Sequence, residues 1–217
     1  MTSAVKVYLL LTMCSLNSFA MDIVQKPIIF NQLRLQLSKE YISKHYEQDV
    51  DDITIIPRII VIHWTAIDDL DASFKRFLFP TLPLDRPDIQ KASSLNVSTH
   101  FMIDTDGTIY QLMPETTMAR HVIGLNFSSI GIENVGGQGN KPNLSSAQLQ
   151  SNKNLILYLT NKYSSINYLI GHSEYTQCEN TSLWLEKDKN YRTIKYDPGD
   201  DFMKALRSNF NLKTCHD

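Results

Sequence analysis

Three side chains that can do chemistry each stand at the end of an apolar run. His63 closes "IIVIH", Glu133 closes "SIGIE" and His172 closes "YLIGH". Short apolar runs of this kind are typical of buried strands, and ligands of α/β sheets collect beyond the carboxyl ends of the strands. We therefore expect the two imidazoles and the carboxylate to converge on one rim of a sheet.

These groups suit a zinc site. Two neutral imidazoles and a carboxylate can hold Zn²⁺ and leave a fourth position for water, whose proton a nearby glutamate can take. Asp197, in the turn "KYDPG", is the candidate for the third ligand. No local HExxH-like signature supports the set. Each residue also has a structural interpretation, as a hydrogen-bonded histidine, a salt-bridge partner or a turn aspartate, so the residues alone lead only to a candidate metal hydrolase.

The elements that must position these groups alternate along the chain. Ser145 and Gln148 form a capping box at the start of one helix, and "VSTHFMID" and "TIYQLM" flank a "TDG" turn as a hairpin. His45 is expected on the solvated side of the first helix. The segments predicted to be helical are residues 30–49, 68–79, 145–164 and 200–210. This pattern predicts an α/β fold with a mixed central β-sheet flanked by helices.

Composition narrows the class of protein. The 217 residues are 42% hydrophobic and 20% charged, which is typical of one globular domain. The formal charge of −2 and the lack of a long basic run argue against a nucleic-acid partner. The predicted division is a signal peptide (1–20), an N-terminal helical extension (21–52), a catalytic domain (53–210) and a C-terminal tail (211–217).

The first twenty residues have the pattern of a secretory signal. One lysine, a short apolar run and Ser18-Phe19-Ala20 follow in that order, and the run is too short to span a bilayer. We expect a periplasmic or secreted protein with no integral membrane segment after cleavage; a lipoprotein anchored at Cys14 is the less favoured alternative, because bulky Met13 precedes it. Export would permit a disulfide between Cys178 and Cys215, but two free thiols are equally compatible with the sequence.

Five motifs, in order, resemble the zinc-dependent N-acetylmuramoyl-L-alanine amidases of the type-2 class, which are related to the peptidoglycan recognition proteins. They are "IIVIHWTA", "VSTHFMIDTDGTIYQLMPE", "RHVIGLNFSSIGIENVGG", "YLIGHSEY" and "KYDPG". The likeness covers roughly residues 57–207. It implies a mixed sheet with helices around it, one Zn²⁺, and cleavage of the amide between the muramyl lactyl group and L-alanine.

The resemblance also implies roles for individual residues. His63, His172 and Asp197 match the zinc ligands, although many relatives carry cysteine at the third position. Glu133 matches the catalytic glutamate that activates water, and Lys195 matches a lysine that stabilises the developing oxyanion.

Other matches imply contacts with substrate. His121 stands where the family has the histidine of "W-H-A-G", but Arg120 replaces the tryptophan. Asn126 and Trp64 are also expected to line the substrate groove. The 24 residues between His172 and Asp197 exceed the family's usual spacing, so the insertion is either a rim of the groove or a neutral surface loop.

The expected partner is peptidoglycan or a muropeptide, and the expected function is an exported zinc amidase. Two alternatives stay open: a module that binds peptidoglycan without cutting it, and a zinc peptidase that cuts within the stem peptide. The sequence does not decide the oligomeric state.

Overall fold

The structure, a computed structural model, describes residues 21–216 and contains a six-stranded mixed sheet with helices on both faces. The predicted signal segment, residues 1–20, lies outside the described residues. The strands are β1 (Ile23–Gln25), β2 (Ile59–Trp64), β3 (Phe101–Ile103), β4 (Ile109–Gln111), β5 (Ser129–Asn134) and β6 (Tyr168–Gly171). The helices are α1 (Gln32–Tyr46), α2 (Leu70–Leu78), α3 (Pro87–Gln90), α4 (Ser146–Lys162) and α5 (Asp200–Arg207), with short 3₁₀ helices at Gln138–Asn140 and His172–Cys178.

The sheet has the order β1-β4-β3-β5-β2-β6. β3 and β4 form the antiparallel hairpin that the sequence predicts, and Gly107 in its turn has a φ of +90°, which side chains other than glycine rarely adopt. The other strand pairs are parallel. The predicted α/β class with a mixed central sheet is therefore confirmed.

The capping box of α4 is formed as predicted. The Ser145 hydroxyl accepts the Gln148 backbone N–H at 3.0 Å, and the Gln148 side chain accepts the Ser145 backbone N–H at 2.8 Å. Both contacts satisfy N–H groups that have no partner within the helix. No helix in residues 21–216 is both long and apolar enough to cross a bilayer.

Alternation along β2 divides the core into two layers. Ile60 and Ile62 pack on one face of the sheet with buried side chains of α4 and α5, while Ile59 and Val61 face the layer that contains α1. Since successive side chains of a strand point to opposite faces, His63 continues the set of Ile59 and Val61. The site therefore lies on the α1 side of the sheet.

Helix α1 is part of this core. Tyr41, Ile42 and Tyr46 are at most 1% exposed and belong to the same cluster as Ile59. Residues 21–52 and the sheet thus share one apolar layer, so the N-terminal extension is packed against the predicted catalytic domain. The functional division between the two ranges stays a prediction.

The expectation that His45 faces solvent is wrong. Its ring is buried, with Nδ1 3.0 Å from Oε1 of Glu186 and Nε2 3.2 Å from the carbonyl oxygen of Ala92. The segment that covers it belongs to the insertion after His172, and no pattern within α1 could reveal that cover.

The insertion is not a neutral surface loop, and part of it lines the cavity, as the rim alternative predicts. Leu183 and Tyr191 are buried in the α1-side core, and Cys178 forms a disulfide with Cys215. The inserted segment therefore completes a core layer and ties the C-terminal tail to it, while Tyr191 also reaches the wall of the cavity described below.

Candidate metal centre

Strand register places the candidate residues at one edge of the sheet. In the parallel pair β2–β5, His63 lies opposite Glu133, and in the pair β2–β6, Ile62 lies opposite Gly171. His172 follows Gly171 directly, so it leaves β6 at the level of His63. The predicted convergence of strand ends is confirmed.

Asp197 reaches the same edge through a backbone contact. The N–H of Ser173 donates to the carbonyl oxygen of Asp197 at 2.9 Å, which holds the turn beside the start of the 3₁₀ helix. A Cβ at Gly171 would lie 2.9 Å from Cδ of Pro198, so the absence of a side chain there lets the turn approach.

Three potential ligand atoms meet at this edge. Nδ1 of His63 lies 3.3 Å from Oδ2 of Asp197, and Nδ1 of His172 lies 3.0 Å from the same oxygen. One ligand atom from each residue lies within 4.8 Å of the other two, and all three residues are buried. Two imidazole nitrogens and one carboxylate oxygen, with room for a fourth ligand in a cavity, are a donor set that fits Zn²⁺.

The charges of His63 and Asp197 agree with this donor set. Burial and the neighbouring His172 ring lower the pKa of His63 to about 4, so its imidazole is neutral at pH 7. Burial alone would raise the pKa of Asp197, but the two imidazoles beside it hold that pKa well below its usual value. A neutral ring and an ionised carboxylate are the protonation states that bind metal.

Glu133 is the unpartnered carboxylate of the site. Its Oε2 is buried and has no hydrogen-bond partner within residues 21–216. Burial, and then the negative charge of Asp197, raise its pKa well above the usual value. A carboxylate with a raised pKa is a stronger base, which suits proton abstraction near neutral pH.

Lys195 lies on the same cavity as Glu133 and provides a positive charge there. Burial lowers its pKa, and the charge of Asp197 opposes that shift.

A cavity of about 560 Å³ opens over these groups, and the three residues predicted to contact substrate line it. Trp64 is 7% exposed and packs where a side chain at Gly137 would otherwise lie. Asn126 is fully buried, and its Oδ1 accepts the backbone N–H groups of His121 and Val122, each at 2.8 Å. Contact of His121, Asn126 and Trp64 with substrate stays a prediction.

Two neighbours of the site were missed from the sequence. Ser129 and Gly131 lie on the same face of β5 as Glu133, because residues two apart in a strand share a face. Ser129 contacts the His121 ring, and Gly131 leaves room for it. The alternation within "SIGIE" could have indicated both positions.

Comparisons with known proteins agree with the geometry. The family model of the N-acetylmuramoyl-L-alanine amidases (Amidase_2) matches residues 54–199. The chain belongs to this family. The amidase is 35% identical to the endolysin of Escherichia phage T7 over 103 residues, which are 44% of this chain and 68% of that relative. The resemblance stated from the motifs is confirmed, and the chain is an enzyme that hydrolyses an amide of peptidoglycan.

Solved structures show the same fold. The N-acetylmuramoyl-L-alanine amidase LysC from Clostridium intestinale URNW is similar with a TM-score of 0.52 and 23% identity, over 88% of this amidase and 99% of that chain. Peptidoglycan recognition protein-LE, solved in complex with tracheal cytotoxin, is similar with a TM-score of 0.51 and 15% identity, over 80% and 92% of the two chains. At these identities the likeness concerns the fold alone.

Proposed function

We propose that this amidase is an exported zinc enzyme that cleaves the amide bond between N-acetylmuramic acid and L-alanine in peptidoglycan or muropeptides. The observation that carries the proposal is the buried cluster of His63, His172 and Asp197, whose ligand atoms lie within 4.8 Å of one another. When bound, zinc supplies a Lewis acid that polarises the scissile carbonyl group and makes water in the site more acidic.

Glu133 is the proposed general base. Its free Oε2 accepts a proton from the attacking water as the water oxygen bonds to the carbonyl carbon. The same carboxyl group then returns the proton to the amide nitrogen as the carbon–nitrogen bond breaks. The products are a muramic acid with a free lactyl carboxyl group and L-alanine with a free amine.

Lys195 is the proposed electrostatic stabiliser. Its ammonium group lies on the same cavity as Glu133 and donates to the carbonyl oxygen as negative charge develops there. Arg86 also lines the cavity and adds positive potential, since it is close enough to lower the pKa of Glu133.

The direct test is a digest of purified peptidoglycan, analysed by mass spectrometry with and without a chelator. We expect stem peptides that begin with a free L-alanine amine, loss of their release after chelation, and recovery with zinc. Cleavage within the stem would instead identify a peptidase, and tight binding without any release would identify a binding module; either result refutes the proposal.

The role of Glu133 is tested by Glu133→Gln, which removes the base and keeps the shape of the side chain. We expect zinc to stay bound and turnover to fall by about 10²–10⁴-fold, the usual contribution of a positioned general base. Glu40→Gln on the exposed face of α1 makes the same chemical change away from the site and should retain full turnover. An active Glu133→Gln enzyme would contradict the assignment.

Export is tested separately by fractionating cells that express the full chain. We expect the exported form to begin at Met21, as measured by intact mass. An uncleaved chain that stays inside the cell would refute this part of the proposal and leave the chemistry untouched.

A further inference from the structure

The ring of His63 has a second buried contact on the side away from Asp197. Its Nε2 lies 3.0 Å from Nδ1 of His121, and Nε2 of His121 lies 3.0 Å from Oγ of Ser129. All three residues are less than 9% exposed. A continuous hydrogen-bonded row therefore runs from the edge of the metal centre back into the sheet.

A bound metal would determine which atom donates each hydrogen bond of this row. A ring nitrogen that ligates a metal carries no proton, because its lone pair forms the bond. With Nδ1 of His63 as the ligand atom, its proton is on Nε2 and is donated to Nδ1 of His121. His121 then carries its own proton on Nε2 and donates it to Ser129. Each contact has one donor and one acceptor, and no nitrogen is left unpaired.

The site for the His121 ring is built by its neighbours. A Cβ at Gly131 would lie 2.8 Å from both Cγ and Nδ1 of His121, so a side chain at that position would displace the ring. On the other side, Asn126 holds the backbone N–H groups of His121 and Val122. These neighbours fix the position of the His121 ring and of its backbone.

We infer that His121 is a positioning residue of the metal centre: with Ser129 behind it, it accepts the Nε2 proton of His63 and so presents the Nδ1 lone pair to zinc. This inference rests on the proposed zinc function. It differs from the sequence-based expectation that His121 contacts substrate, and the two roles predict different measurements.

Two variants separate the two ring nitrogens. In His121→Asn, Oδ1 of asparagine takes the place along the side chain that Nδ1 has in histidine. The acceptor for His63 is therefore retained. In His121→Gln, the amide group instead reaches the position of Nε2, and the contact with Ser129 is retained without the one to His63. We expect His121→Gln to weaken zinc binding by about 10–100-fold, the usual effect of losing the partner of a ligating histidine, and His121→Asn to stay near the wild type.

The measurement is the zinc dissociation constant of the full chain, obtained by competition with a chromophoric chelator. Thermal unfolding of the metal-free variants is recorded in parallel. Equal zinc affinity of the Gln and Asn variants and wild type, with lowered stability only, would show a merely structural ring and overturn the inference. Unchanged zinc affinity with a raised KM would show a substrate contact and also overturn it.

Two further variants act on the row without changing His121. Ser129→Ala removes the final acceptor and should weaken zinc binding, though less than His121→Gln. The control is Ser38→Ala, which removes a buried hydroxyl group from α1 and should leave zinc binding unchanged. Gly131→Ala should weaken zinc binding by displacing the ring without removing a polar atom. If the wild-type chain binds no zinc, both this inference and the proposed function fail; if it binds zinc and these variants bind equally well, only this inference fails.

Discussion

The buried contact between His45 and Glu186 should contribute strongly to the stability of the fold. Their side chains are 2% and 0% exposed, and Nδ1 of His45 lies 3.0 Å from Oε1 of Glu186. Its Nε2 faces the carbonyl oxygen of Ala92 at 3.2 Å. Oε1 of Glu186 and the carbonyl oxygen of Ala92 are both acceptors, so the two contacts hold the buried ring of His45 between hydrogen-bond partners.

Glu186→Ala leaves Nδ1 of His45 buried without its hydrogen-bond partner. Leaving a buried polar atom without its partner costs about 1–3 kcal/mol. We expect the high end, about 3 kcal/mol, because both side chains are almost completely buried. For a domain of this size, each kcal/mol lowers Tm by about 2–4 °C, so the variant should melt about 6–12 °C below the wild type.

The assay is urea and thermal unfolding of Glu186→Ala, His45→Ala and the double variant. We expect the double variant to lose at least 1 kcal/mol less than the sum of the single losses, as for residues in direct contact. Asp85→Ala, which removes an exposed partner of Arg76, is the control and should cost less than about 1 kcal/mol. Losses for His45 and Glu186 that add within about 0.5 kcal/mol would refute the reasoning.

Three further predictions concern pH, the disulfide and catalysis. Burial lowers the pKa of His100 to about 4, so its contribution to stability is complete above pH 6.5 and is lost as pH falls toward 4. Between pH 7 and pH 5 this amounts to about 2 kcal/mol, and urea unfolding should show that pH dependence reduced by this amount in His100→Asn. Reduction of Cys178–Cys215, which closes a loop across a sequence separation of 37, should lower the free energy of unfolding by about 4 kcal/mol, as measured by urea unfolding with and without dithiothreitol. Lys195→Met should lower kcat by about 10²–10³-fold in a muropeptide assay while zinc affinity is retained.

Each of these predictions has an outcome that contradicts it. An unchanged pH dependence in His100→Asn would show that this ring is not protonated on unfolding in that range. A Cys178→Ala/Cys215→Ala chain should be insensitive to dithiothreitol, and a remaining effect of the reductant would exclude the disulfide as its cause. A Lys195→Met enzyme with normal kcat and raised KM would assign Lys195 to substrate binding instead.

His63, Glu133 and His172 could be predicted as site residues because they lie where strands end. His63 and Glu133 lie near the ends of their strands and His172 directly follows one, and parallel strands bring their ends to one edge. Asp197 lies in a turn and not at a strand end, so the residues alone offered it only as a candidate, and the resemblance to the amidases implied its role.

The features that the sequence did not predict depend on contacts between distant segments. The strand Ile23–Gln25 was not predicted, since three residues with an exposed edge have no distinctive period and their partner strand lies some 86 positions away. The buried state of His45 depends on Glu186, which is 141 residues further along the chain. The bond between Cys178 and Cys215 could not be decided either, because it requires a distance between their backbones.

The family model matches residues 54–199, so helices α1 and α5 lie outside the matched stretch. Yet Tyr41 and Ile42 of α1, and Met203 and Leu206 of α5, are almost completely buried, one pair beneath each face of the sheet. A fragment trimmed to residues 54–199 would expose apolar side chains on both faces of the sheet and should aggregate. The packed core of this chain therefore extends beyond the stretch that the family model matches.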